Sequence, residues 1–138
     1  MVISGRRDSR ARLTATLFCA ISVALGLAAR TWLDGWSAKY LGVVLWCWVV
    51  YGVVLFIAPR LRPITAGTWA LVFSWTVEFA QLTPVPGYLS RQSVWLRWVF
   101  GETFSVWDLL GASMAIAAIT VLYAAALTPR TRPATLGP

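Results

Sequence analysis

Residues 40–58, YLGVVLWCWVVYGVVLFIA, carry no charged side chain. A helix that crosses the hydrocarbon core of a bilayer needs about 20 apolar residues, with a range near 17–25. A helix apolar on every face belongs inside a large protein or inside lipid. Pro59, Arg60, Arg62 and Pro63 follow at once, and proline cannot continue the helical hydrogen-bond ladder. The stretch reads as a transmembrane helix with a defined end.

The rest of the chain agrees. Of its 138 residues, 59% are hydrophobic and 12% charged, with a mean hydropathy of +0.70. Soluble domains are about half apolar and about a quarter charged. A small domain also leaves much of its chain at the surface, so water is the wrong solvent for this composition.

On the N-terminal side of 40–58, residues 30–39 form a polar connection with Arg30, Asp34 and Lys39. Residues 13–29, LTATLFCAISVALGLAA, form a first, short span, and residues 1–12 a basic leader with Arg6, Arg7, Arg10 and Arg12 against Asp8. A basic start, an apolar run and small residues near Ala28 also match a cleavable signal peptide; the run is long for one. On the other side, residues 64–82, ITAGTWALVFSWTVEFAQL, form a third span. A loop with Pro84, Pro86, Gly87, Arg91 and Arg97 follows, in which WLRWVF (95–100) is amphipathic enough to lie at the membrane surface. Residues 105–127 form the fourth span, and 128–138 a disordered tail. The fold class is therefore all-α: an integral membrane bundle of four transmembrane helices.

Short loops rich in Lys and Arg stay cytoplasmic. With the N-terminus inside, that side holds Arg6, Arg7, Arg10, Arg12, Arg60, Arg62, Arg130 and Arg132; the outer side holds Arg30, Lys39, Arg91 and Arg97. The two-to-one ratio places both termini in the cytoplasm. Trp32, Trp36, Trp95, Trp98 and Trp107 fall near the outer boundaries, where amphipathic rings settle.

Several function classes are excluded. The net charge of +7 comes from basic residues that punctuate apolar runs, without a nucleic-acid-binding motif, so no nucleic acid partner is expected. The chain has no His, which removes imidazole–thiolate metal sites and Ser-His-Asp or Cys-His catalysis. Cys19 and Cys47 sit in apolar runs and read as small hydrophobic residues. No metal, cofactor or catalytic residue is assigned.

The polar residues at bilayer depth carry the functional question. Glu78 lies about one turn from the end of its span, where a charge still costs energy and needs a partner. Gln81, three residues on, shares its helix face. Ser105 and Asp108 match the N-cap and N3 positions of a capping box, a structural role for Asp108. Topology brings Arg30, Glu78, Gln81, Arg91 and Asp108 to the outer face of one bundle. An Arg–carboxylate network there serves either to hold the helices or to form a polar pocket.

Segments containing these residues resemble the family of small bacterial membrane proteins catalogued as domain of unknown function 2809, a relative of the VanZ-like proteins. The matching pieces are LGLAAR (25–30), KYLG with LW (39–42, 45–46), VEFAQL (77–82), an Arg in the next loop and GETFSVWDLL (101–110). The resemblance runs from about residue 25 to 120. It implies a four-helix inner-membrane protein in which Glu78, Gln81, Arg91 and Asp108 are characteristic polar positions, with Arg30 in the matching place at the end of helix one. Val43 stands where the family usually has Asp, and Gly111 and Ala112 replace the usual pair after the D-L segment. The VanZ-like relatives imply a role at the cell envelope.

Three functions are expected to compete. One is a binding protein for a polar or phosphate-bearing head group of a membrane lipid or envelope glycolipid, with Arg30, Arg91 and Arg97 as anion contacts. Another is an enzyme on a lipid-linked substrate with Glu78 as base. The last is a structural subunit, or a small transporter half that works as a homo-oligomer.

Overall fold

The computed structural model describes residues 2–100 and 104–128, with side chains from 8 to 97 and from 104 to 128. Glu102, Arg130, Arg132 and the expected tail from 129 onward lie outside the described residues, as do the side chains of Arg6, Arg7 and Trp98.

Six helices follow in order: α1 (Val2–Trp32), α2 (Gly35–Ile57), α3 (Pro63–Ala80), α4 (Pro84–Gln92), α5 (Val94–Phe100) and α6 (Val106–Leu127). No strand occurs among the described residues. Three helices are long and apolar enough to cross a membrane: α1 over Asp8–Trp32, α2 and α6. The expected third span, α3, has 18 residues; Glu78 and its Thr and Ser residues make it less apolar than the others.

Two expected boundaries move. The basic leader is the start of α1 rather than a separate segment, because nothing in residues 2–12 breaks a helix. The polar connection shrinks to Leu33 and Asp34. There Gly35, at φ +63°, takes the left-handed backbone conformation that costs a Cβ-free residue least, so the chain reverses abruptly and Lys39 falls inside α2. The loop after α3 is also more ordered than expected. Thr83 caps α4, its hydroxyl accepting from the Val85 N–H at 3.4 Å, and Pro84 fills the first helical position, where a missing N–H costs nothing.

Helices α2, α3 and α6 pack against one another, α1 packs on α2, and α4 packs on α5. The core is small-residue packing. Ala66 and Ala70 of α3 are fully buried against Ala112, Ala115, Ile116 and Ile119 of α6 and Cys47, Val50 and Tyr51 of α2. In lipid no hydrophobic force drives apolar helices together, and close approach through small residues supplies dispersion contact instead. Three aromatic side chains bond across the bundle, as a medium without water favours. Trp48 Nε1 donates to Ala115 O at 3.3 Å, Tyr51 Oη to Pro63 O at 3.2 Å, and Trp75 Nε1 to Ser113 Oγ at 3.2 Å. The outward side chains are large and apolar: Leu13, Leu17 and Ile21 on α1, Phe56 and Ile57 on α2, Met114, Val121 and Leu122 on α6.

Gly67 is the tightest point of the α3–α6 seam, since a Cβ there would collide with the Thr120 hydroxyl and press on its Cβ and Cγ2, both at 3.4 Å. Thr is β-branched and has few rotamers to yield. Gly67→Leu is therefore expected to lower stability by about 1–3 kcal/mol, read as an earlier transition in thermal or SDS unfolding of the detergent-solubilised protein.

Candidate functional site

The end of the bundle where α1 turns into α2, and where α3 ends and α6 begins, gathers the polar residues of three helices. Lys39 stands in the first turns of α2. Glu78 is in the last turn of α3, and Gln81 is its C-cap. Ser105 is the N-cap of α6, with extended backbone (φ −144°, ψ 122°), and Asp108 lies in the first turn.

The first four N–H groups of a helix have no partner within it. Ser105 and Asp108 occupy the expected cap positions, but they do not form the reciprocal side-chain box: Ser105 makes no side-chain cap hydrogen bond. Instead the Ser105 N–H donates to Glu78 Oε1 at 2.7 Å. The carboxylate that would normally come from the helix's own third residue comes from α3. This releases Asp108, which pairs with Lys39 across to α2, Nζ to Oδ1 3.1 Å. Glu78, Asp108 and Lys39 lie within electrostatic reach of one another. One cluster thus ties α2, α3 and α6 together.

Aromatic rings surround it. Phe79 stacks on Phe104 with centroids 6.2 Å apart and meets Trp75 edge to face. Trp36 leans on Tyr40, whose ring lies 5.9 Å from Lys39 Nζ. Trp32, Trp36, Trp95 and Trp107 are all strongly exposed, as rings at a membrane boundary would be.

Of the expected site residues, Glu78 and Asp108 come together. Arg30, exposed in the last turn of α1, stands at the same end of the bundle. Arg91 is exposed on α4, its Nε donating to Gly87 O of the same helix at 3.2 Å. Arginine was the cation expected beside the carboxylates; the partners found for Glu78 and Asp108 are the Ser105 N–H and the Lys39 ammonium. Sequence reading passed over Lys39 as a partner because it lay in what read as a connection. The signal was present in the KYLG segment (39–42), which places Lys39 one to two turns from the start of an apolar helix. No group of three or more His, Cys, Asp or Glu that could hold a metal occurs among the described residues.

Lys39 is half exposed, at 52%, while the Asp108 side chain is 16% exposed. A largely covered carboxylate therefore holds an ammonium that remains half exposed. An ammonium carries three donors and no acceptor, so the arrangement can present positive charge to a ligand oxygen without losing its own anchor.

If Glu78 caps α6, Glu78→Ala leaves the Ser105 N–H unpaired and is expected to cost about 1 kcal/mol. Glu78→Gln keeps a carbonyl acceptor and is expected to cost less. Thermal unfolding of the two variants in the same detergent separates them; equal losses would show that the hydrogen bond contributes nothing.

Residues 32–112 match the family described as Protein of unknown function (DUF2809). Among curated proteins and among solved structures, nothing matches the chain.

Proposed function

Because the match spans more than half of it, the chain belongs to the DUF2809 family, and from that premise we propose that it is a multi-pass protein of a bacterial plasma membrane that binds the polar head group of an envelope lipid or glycolipid at its outer end. In this reading α3 also crosses the membrane, which makes four spans, and both termini are cytoplasmic. The length of α3 supports the fourth crossing: 18 residues at 1.5 Å each reach about 27 Å, close to the hydrocarbon thickness of about 30 Å. Its start is bonded to Tyr51 of α2 and its end to the beginning of α6, so it runs most of the bundle's length.

The observation that carries the reading is the Lys39–Asp108 pair. It sits where an apolar helix begins, among exposed Trp residues, which is the depth of lipid head groups. Asp108 holds Lys39 in place, and the ammonium offers its remaining donors to a phosphate or sugar oxygen. Arg30 and Arg91 add guanidinium charge at this end and suit bidentate contact with a phosphate. Glu78 and Gln81 shape the floor of the site from α3.

A purely structural role for the cluster is the second reading, favoured by the Glu78–Ser105 hydrogen bond, which joins helix ends without any ligand. Lys39→Ala separates the two. For head-group binding, native mass spectrometry of the purified protein is expected to show retained phosphate-bearing lipid falling about tenfold, the worth of one hydrogen bond to a charged group. Asp108 loses its ion-pair partner in either reading, so the unfolding midpoint falls in both. A structural cluster predicts lipid retention as in the wild type, and that readout decides.

A further inference from the structure

The opposite end of the bundle carries the chain's largest concentration of positive charge. Arg6, Arg7, Arg10 and Arg12 lie along the first turns of α1, and Arg60 and Arg62 lie in the turn between α2 and α3, against Asp8 as the one acid. Asp8 is not scattered among them at random. Arg60 grips it with both arms of its fork, Nε to Oδ1 at 3.1 Å and Nη2 to Oδ2 at 2.8 Å. This bond and the attraction of the carboxylate raise the Arg60 pKa above its ordinary value. The pair fastens the start of α1 to the α2–α3 turn, although the two are remote in sequence.

Between them lies an open cleft of about 280 Å³, lined by Asp8, Arg12, Ala58, Pro59, Arg60 and Leu61. Arg12 is itself placed, its guanidinium 5.8 Å from the centre of the Phe56 ring, a cation–π geometry. Arg62, exposed, follows the lining residue Leu61 in the chain. Among the described side chains, Arg60 is matched by the aspartate, and Arg12 and Arg62 add charge beyond it. The cleft opens just beyond Ile57, the last residue of α2, which is the level of lipid phosphates when α2 spans the bilayer.

We propose that this cleft binds the phosphodiester head group of an anionic glycerophospholipid. Arg12, with Arg62 at the rim, contacts the phosphate, for which the planar guanidinium fork is better suited than a point charge. Ala58, Pro59 and Leu61 form an apolar wall for the glycerol and the first ester groups beneath it. The Asp8–Arg60 pair does not contact the phosphate; it sets the spacing of the two walls. Basic residues beside a membrane helix attract anionic lipids, each by a factor of about five. The fixed cleft turns that general attraction into a site.

The test uses the full chain reconstituted in nanodiscs with equal amounts of phosphatidylglycerol and phosphatidylcholine, followed by native mass spectrometry of the lipid retained on release. The wild type is expected to retain phosphatidylglycerol several-fold over phosphatidylcholine. Arg12→Ala and Arg62→Ala are each expected to cut that preference about fivefold, and Arg12→Lys to cut it less. Circular dichroism establishes that each variant remains helical; should Arg12→Ala not fold, Arg12→Lys and Arg62→Ala carry the comparison. Equal retention of the two lipids by the wild type, or an undiminished preference in folded variants, would overturn the proposal. So would loss of the preference on adding millimolar inorganic phosphate, which would identify a site for the free anion instead.

Discussion

A carboxylate at the edge of hydrocarbon needs a donor, because leaving it bare in a medium without water costs several kcal/mol. Glu78 meets that need with the first unpaired N–H of a neighbouring helix. The same bond answers the neighbour's own deficit, since the start of α6 has N–H groups with no partner within the helix. Two liabilities, one on each helix, cancel. Everything between them in sequence, from Gln81 through the short helices α4 and α5, is an excursion that starts and ends at this contact. The freed Asp108 then reaches Lys39 and draws α2 into the same knot.

Along the rest of the bundle, the helices are held by closeness rather than by polarity. Ala66, Gly67 and Ala70 let α3 approach α6 until Thr120 touches the glycine. A similar approach occurs between α1 and α2, where a Cβ at Gly52 would come within 2.5 Å of Cys19 Sγ. The large side chains are turned outward, the reverse of a soluble core, because in lipid both surfaces of a helix are equally content with Leu or Phe. Three aromatic residues use their polar atoms to cross-link helices: Trp48 to α6, Trp75 to α6 and Tyr51 to the start of α3.

The two ends of the bundle differ in kind. At one, Asp108 pairs with Lys39 and Glu78 accepts from the Ser105 N–H, with aromatic residues around them. At the other, arginine is in excess and a single aspartate serves as a clasp. Both ends use a carboxylate to hold a basic side chain, Asp108 on Lys39 and Asp8 on Arg60. An immobilised cation loses less rotamer freedom when it meets a ligand oxygen than a free one does.

The sequence by itself determined that the chain is helical and apolar enough for lipid. Runs such as 40–58 have a length and hydropathy that leave no other solvent, and Pro59, Pro63 and the Ser105 cap mark helix ends through local chemistry alone. It also marked Glu78 and Asp108, since an acid near or inside such a run is conspicuous. Periodicity could not reveal which group each acid would meet. The capping pattern at Ser105 and Asp108 was complete within four residues, yet Glu78, 27 positions earlier, took the bond. Lys39 became a partner only because Gly35 turned the chain sharply enough to start α2 before it. Those pairings depend on how three helices cross, and helix crossing is set by where small residues allow backbones to approach. That is a property of packing, so only the tertiary structure decided it.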